Sequence, residues 1–327
     1  MAGGQERILR RRIRSIKSTQ KITKAMELIA ASQIVRAQGR IAASRPYQDG
    51  MARIVLETAM GDWFSAGRLL GTPDDVSSVL VLCVVADRGL CGGYNSNVFR
   101  ATERLLVEKQ EAGIETRLVT VGKKAQGYFR FRGIEVAESF LGMSERPTFA
   151  DARTVAGAAV APFVAGEVDQ VIVVSTRFHS AGSQRIEVRQ LLPLADPRND
   201  EAKASHEDEP GVSRNIAPDQ VPDVKHGYTE FEPDAAILLQ ELAPKAAETA
   251  IFAALLEASA SELTARQRAM AAATENAGEL IKKYSRIMNR ARQETITTEI
   301  MEIVGGAEAL RAGTHDDEGG LVIQTTV

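Results

Sequence analysis

Two long stretches of helical periodicity, one at each end of a 327-residue chain, limit what this sequence can fold into. The first runs from Gln5 to Ser44. Apolar or small residues recur at Ile22, Met26, Ile29, Ala30, Ile34, Ala37 and Ile41, the 3-and-4 spacing of one helix face. The other faces carry Arg7, Arg10, Arg11, Arg12, Arg14, Lys17, Lys21, Lys24, Arg36 and Arg40 against Glu6 and Glu27. The helix is expected to continue to about Ala59, with Pro46 allowing a kink; the alternative is a helix that stops there. The second stretch runs from Pro233 to about Arg311 and is dense in Ala, the best helix former, between Lys245 and Ala277. Its 3-and-4 spacing passes through Leu256, Ala260, Leu263, Gln267, Met270, Thr274, Ala277, Ile281, Tyr284, Met288, Ala291, Thr295 and Thr298, a small and partly polar coiled-coil seam. Pro244 is expected to break or kink this helix near its start.

Helices with seams this narrow pair with each other or with a partner. Because everything else in the chain lies between them, antiparallel pairing is the simplest topology. At ~1.5 Å per residue, a helix of about 60 residues reaches ~90 Å, so a rod on a globular base is expected.

The middle of the chain supplies that base. "SSVLVLCVVA" is a continuous β-rich run, and "SNVFRATERLLVEKQEAG" an amphipathic helix with Asn95 or Ser96 as cap and Gly113 as stop. A strand "IETRLVTVG", a short helix "KKAQGYFRFRG", a third strand "IEVAESF" and a helix "TFADARTVAGAAVAPFVAG" follow. "VDQVIVVSTRF" then turns through "HSAGSQ" into "RIEVRQLLPL". Alternating strands and helices imply a Rossmann-like, mostly parallel α/β sheet with one antiparallel hairpin at its edge. The expected organisation is an N-terminal helix over 1–60, an α/β domain over 76–195, an acidic loop over 196–232, a C-terminal helix over 233–312 and an acidic, Gly-containing tail over 313–327.

Charge is uneven along the chain. Residues 1–53 hold 12 Lys and Arg against 3 Asp and Glu, whereas residues 196–232 hold 4 against 10, within a net charge of −3. The latter segment is Pro-rich and poor in large apolar residues, and reads as an exposed, mobile loop. Cys83 and Cys91 form no CxxC or disulfide framework, which suits a reducing, intracellular compartment. No apolar run approaches the ~20 residues of a spanning helix, and the N-terminus has no signal-peptide pattern, so direct membrane insertion is not expected.

Catalytic motifs are missing. His179, His206, His226 and His315 are scattered, with no metal-ligand spacing, no Walker A pattern and no GxSxG elbow, so no cofactor, metal or catalytic residue is expected. The glycine-rich "ADRGLCGGYN" (86–95) lies between a first strand and a helix, where a dinucleotide fold holds phosphate. Its Gly89-x-x-Gly92-Gly93 spacing is not GxGxxG. The favoured reading is a tight structural turn built on Asp87, Gly89, Gly92 and Gly93; a nucleotide-binding enzyme is the alternative. The Arg10–Arg11–Arg12–Arg14 cluster has no reader motif and no interleaved aromatics, which points to an acidic protein partner or a solvated face rather than nucleic acid.

Three stretches carry a family resemblance: "IRSIKSTQKITKAMELIAAS", "ADRGLCGGYN" and "ARQETITTEIMEIVGGAEAL". Over most of residues 5–312 the chain resembles the gamma subunit of bacterial F-type ATP synthases. The resemblance implies a central stalk whose terminal helices form an antiparallel coiled coil inside a ring of alpha and beta subunits. It also implies an α/β domain beside the epsilon subunit and on the membrane c-ring. One copy would sit in each hetero-oligomer, peripheral on the cytoplasmic side of the cell membrane. Rotation of the c-ring would turn the stalk and drive the beta subunits through open, loose and tight states, with no chemistry on the stalk itself. An Ala-rich rod with thin seams suits a shaft that must slide past equivalent partners.

Carried over by resemblance, contacts with the beta subunits fall on Lys21, Lys24 and Met26, and upper-shaft coupling positions on Arg292, Gln293, Thr297 and Glu299. Arg45, Pro46 and Tyr47 lie toward the foot. The segment 196–230 is longer than in the simplest relatives and has no cysteine, against the thiol regulation of chloroplast members. The tail also runs past the usual end.

Overall fold

The computed structural model describes residues 2–62, 75–194, 212–213, 232 and 235–315. Most of the acidic segment and the tail beyond His315 lie outside the described residues. The chain divides into two compact units, Met26–Met270 and Met1–Ala25 with Ala271–Val327. Two long helices, α1 (Ala2–Asp62) and α5 (Ala235–His315), contribute to both.

The larger unit holds the sheet, whose central strand is β1 (Ser78–Val84). β2 (Glu115–Val121) and β4 (Gln170–Phe178) flank it in parallel, with Val79 opposite Thr116 on one side and Gln170 on the other. β3 (Glu138–Phe140) extends the β2 side in parallel and is only three residues long, shorter than its sequence suggested. β5 (Gln184–Leu192) returns antiparallel to β4, and the short β6 (Val212–Ser213) pairs with it, giving the order β3-β2-β1-β4-β5-β6.

The continuous apolar run of β1 follows from burial on both faces. Alternate side chains point to opposite sides of a strand. Val79, Val81 and Cys83 therefore enter a core with α2 (Tyr94–Glu111) and α3 (Lys123–Phe131). Leu80, Leu82 and Val84 enter another with α4 (Phe149–Ala165) and with Ala247, Ile251, Ala254, Leu255 and Ala258 of α5. Alanines at this contact let the long helix lie close against the domain.

Local signals set the helix ends. Thr148 and Asp151 form a reciprocal capping box at the start of α4, and Gly166 closes it in a left-handed conformation. The cap of α2 is Gly93, in place of Asn95 or Ser96. Those two side chains are engaged elsewhere: Asn95 Oδ1 accepts from the Ala86 N–H at 3.0 Å, and Ser96 Oγ donates to the Gly93 carbonyl at 3.0 Å. Gly113, expected as the stop, follows the C-cap Ala112 with φ of 74°.

Pro46 lies inside α1 and Pro244 inside α5, and neither ends its helix. In the larger unit Met51 and Val55 pack with Leu239, and Ala37 and Ile41 with Leu256, Ala260 and Leu263. Numbers fall along α1 as they rise along α5, so the pairing is antiparallel. The smaller unit repeats this with polar residues. Thr23 Oγ1 and Thr274 Oγ1 share a hydrogen bond of 2.8 Å, and Gln20 Nε2 donates to the Thr274 carbonyl at 3.3 Å.

The buried stripe of α1 is Leu9, Ile13, Thr23, Ala30, Ala37, Ile41, Met51, Val55 and Thr58. Ile22 and Ile29, expected in the seam, are 58% and 57% exposed. Two neighbouring faces of α1 carry 3-and-4 spacing, and at this level the buried one presents Thr23 and Ala30 in place of Ile22 and Ile29. On α5 the expected seam is buried or half-buried from Leu256 to Thr295, whereas Thr298 is exposed.

Candidate functional site

At the C-terminal edge of the sheet, residues 86–95 leave β1 and enter α2. Asp87 organises this corner. Its Oδ1 accepts from the Lys123 N–H at 2.9 Å and its Oδ2 from the Ser144 N–H at 3.2 Å, while its own N–H donates to Ser144 Oγ at 2.9 Å. Partial burial would raise its pKa, but N–H groups of Gly142, Lys123 and Ser144 outweigh this and hold the carboxyl below its ordinary value. Of the three glycines, only Gly92 has a positive φ, 57°, and Leu90 shares that conformation at 64°. A Cβ on Gly89 or Gly93 would meet only ordinary contacts, so those positions do not require glycine for shape.

In a dinucleotide fold, the ligand sits where strand order reverses, beyond the strand ends. Here that point lies between β1 and β4, and α5 passes it. Tyr94 Oη donates to the Ala258 carbonyl of α5 at 3.2 Å, and Gly92 approaches Ala269. Beside this contact an open cleft of about 440 Å³ is lined by residues including Asn97, Thr176, Gln184 and Arg268. α5 also carries a buried ion pair, Glu262 with Arg266, whose side chains are 1% and 8% exposed. Burial raises the Glu262 carboxyl above its ordinary pKa against the pull of Arg266. Burial and then Glu262 raise the Cys91 thiol and the Tyr94 phenol. None of these groups is poised as a nucleophile or base at neutral pH. Among the described residues, no cluster of His, Cys, Asp and Glu could hold a metal ion.

The positions carried over by resemblance lie on helix surfaces. In the smaller unit Lys21 and Lys24 are exposed on α1, and Arg292, Gln293, Thr297 and Glu299 on α5, where Thr297 Oγ1 donates to the Gln293 carbonyl at 2.9 Å. In the larger unit Met26 is half-buried, and Arg45 and Tyr47 are exposed. From Ile296 to Leu310 every residue of α5 is exposed, including Ile300, Met301, Ile303 and Val304.

Sequence reasoning missed the polar attachments of α5 to the α/β domain. Ser259 Oγ donates to the Glu145 carbonyl at 2.9 Å, and Arg189 Nη2 to the Ala250 carbonyl at 3.3 Å. Serines inside an Ala-rich helix look like spacers until their partners, more than a hundred residues away for Ser259, are known.

Comparison with known proteins identifies the relatives of this chain. A family model described as ATP synthase matches residues 5–310. The ATP synthase gamma chain of Frankia casuarinae is 45% identical over 315 residues, covering 95% of this chain and 99% of its own. That of Mycobacterium tuberculosis is 41% identical over 317 residues, covering 93% and 97%. Among solved structures, a chain of the Euglena gracilis mitochondrial ATP synthase matches with a TM-score of 0.66 over 99% of this chain and 100% of that one, at 19% identity. A chain from the central stalk and c-ring structure of the Tetrahymena thermophila mitochondrial ATP synthase gives 0.56 over 77% and 99%, at 23% identity. At these identities the structural likeness speaks for the fold. The sequence matches carry the assignment: this chain belongs to the gamma chains of bacterial F-type ATP synthase, the non-catalytic rotor subunits of the central stalk.

Proposed function

We propose that the exposed faces of α1 and α5 bear on a ring of alpha and beta subunits, while the α/β domain meets the epsilon subunit and the c-ring. One copy serves each complex, which is peripheral on the cytoplasmic side of the cell membrane. The observation that carries this reading is the apolar exposed run Ile296–Leu310 of α5, a surface that wants a partner. The Euglena and Tetrahymena neighbours come from assemblies that include a c-ring, which supports this reading. No described helix is long and apolar enough to cross a membrane, so attachment runs through other subunits.

In this reading Lys21, Lys24 and Met26 pass the beta subunits' levers, and Arg292, Gln293, Thr297 and Glu299 line the upper bearing. Arg45 and Tyr47 face the foot. The exposed basic residues of α1 suit acidic loops on a stationary partner, an attraction that screening by water keeps weak enough to break at each step. Rotation then biases distant catalytic sites through a rigid element, without chemistry on the rotor.

Met26→Lys tests the lever contact. The added charge creates contacts that must be broken once per step, so ATP hydrolysis survives while ATP-driven proton pumping falls in membrane vesicles. Equal retention of both activities removes Met26 from the contact.

A further inference from the structure

A rotor subunit must pass torque between its α/β domain and its shaft, and apolar packing shares that task with polar contacts on α5. The apolar part on α5 includes Ala247, Ile251, Ala254, Leu255 and Ala258, with Phe252 edge-on to Phe149 and with Leu256 and Leu263 beside Phe178. Apolar contact is non-directional, and the alanines among these residues add little relief of their own against a helix turning beneath them. Hydrogen bonds, by contrast, are directional and fix both rotation and height.

Such bonds surround α5 at one level. Tyr94 Oη donates to the Ala258 carbonyl at 3.2 Å, Ser259 Oγ to the Glu145 carbonyl at 2.9 Å and Ser261 Oγ to the Thr176 carbonyl at 3.5 Å. Two residues of helix turn through about 200°. Ser259 and Ser261 therefore leave α5 on nearly opposite sides, one to the loop before α4 and the other to the end of β4. Arg268 extends the set, donating to the Ala181 carbonyl and, at 3.3 Å, to Gln184 Oε1 of the β4–β5 hairpin. Ser259 and Ser261 are buried, and so is Thr176, whereas Glu145 is half-buried. A helix held from opposite sides by short side chains cannot rotate against the domain without breaking these bonds together.

We propose that torque passes between the α/β domain and α5 through this ring of hydrogen bonds, with Tyr94, Ser259 and Ser261 as its positioning residues. The proposal rests on the rotor reading above. Its direct consequence is that loosening the ring leaves catalysis intact and makes the joint slip under load.

The test uses the complete complex, assembled with this chain in membrane vesicles. The variant Tyr94→Phe/Ser259→Ala/Ser261→Ala removes three hydroxyl groups and leaves the apolar contact in place. ATP hydrolysis with an uncoupler present, when the rotor turns without load, should match the wild type. Protons pumped per ATP hydrolysed against an established gradient should fall at least by half. Single-molecule rotation should show wider angular fluctuation of the α/β domain relative to the catalytic ring. If the triple variant fails to assemble, Tyr94→Phe alone, which deletes one oxygen atom, is measured for the same ratio. A pumping wild type whose variants keep the wild-type ratio would overturn this proposal alone. A wild-type complex that hydrolyses ATP without pumping would overturn the rotor reading and this proposal with it.

Discussion

Gly122 joins β2 to α3 in a conformation that fixes the corner organised by Asp87. Its φ is 104°, and a Cβ built there would lie 2.3 Å from the Val85 carbonyl oxygen and 2.8 Å from the Val85 carbonyl carbon. These are backbone atoms of the segment leaving β1, so no flexible side chain can yield. Gly122→Ala thus combines two costs: a positive φ for a residue with a Cβ, about 1–3 kcal/mol, and displacement of packed backbone, about 1–3 kcal/mol. Relief requires β2 to move from the end of β1. That strains the Val85 N–H to Val121 carbonyl bond of 2.9 Å and the Lys124 N–H to Ala86 carbonyl bond of 3.2 Å. The expected loss is about 2–6 kcal/mol in local stability, read as faster hydrogen exchange of β1 and β2 amides in the full-length chain. Gly157→Ala makes the same chemical change inside α4, where no atom lies within 4 Å of the added Cβ. There the helix should gain about 0.5–1 kcal/mol. A Gly122→Ala variant with exchange like the wild type would refute the clash argument.

Two further outcomes are expected. Glu262→Leu leaves the buried guanidinium of Arg266 without its carboxylate and should cost about 3–5 kcal/mol in thermal unfolding, whereas adding Arg266→Met should recover most of that loss. Asp169 is held at a pKa of about 2 mainly by side-chain and backbone hydrogen bonds from Ser77, joined by those from Ser78. Because its folded pKa is depressed, its contribution is present above the unfolded value of about 4 and is lost as pH falls toward the folded value. Asp169→Asn should therefore flatten the acid limb of the unfolding-temperature profile and, after discounting for solvent screening, cost about 1 kcal/mol near neutral pH.

The elements and their order are legible in the amino-acid pattern alone. A run such as "VLVLCVVA" has to be buried on both faces, because no exposed strand tolerates so many consecutive apolar residues. Thr148 with Asp151, and Gly113 after α2, mark helix ends through interactions made within a few residues. The terminal motifs likewise identify the rotor family without reference to a fold. What the sequence left undecided depends on partners distant along the chain. Ile22 and Ile29 outrank Thr23 in hydrophobicity, yet Thr23 is buried because Thr274 on α5 offers it a hydrogen bond and Gln20 reaches the same turn. Asn95 looks like a helix cap until the Ala86 N–H claims its side chain. Ser259 and Ser261 become attachments only when the Glu145 and Thr176 carbonyls are brought to opposite sides of α5. Periodicity names the faces a helix could bury, and local chemistry names where it could end. Which face is buried, and which small polar residue bears a load, is decided by the groups that tertiary packing places against it.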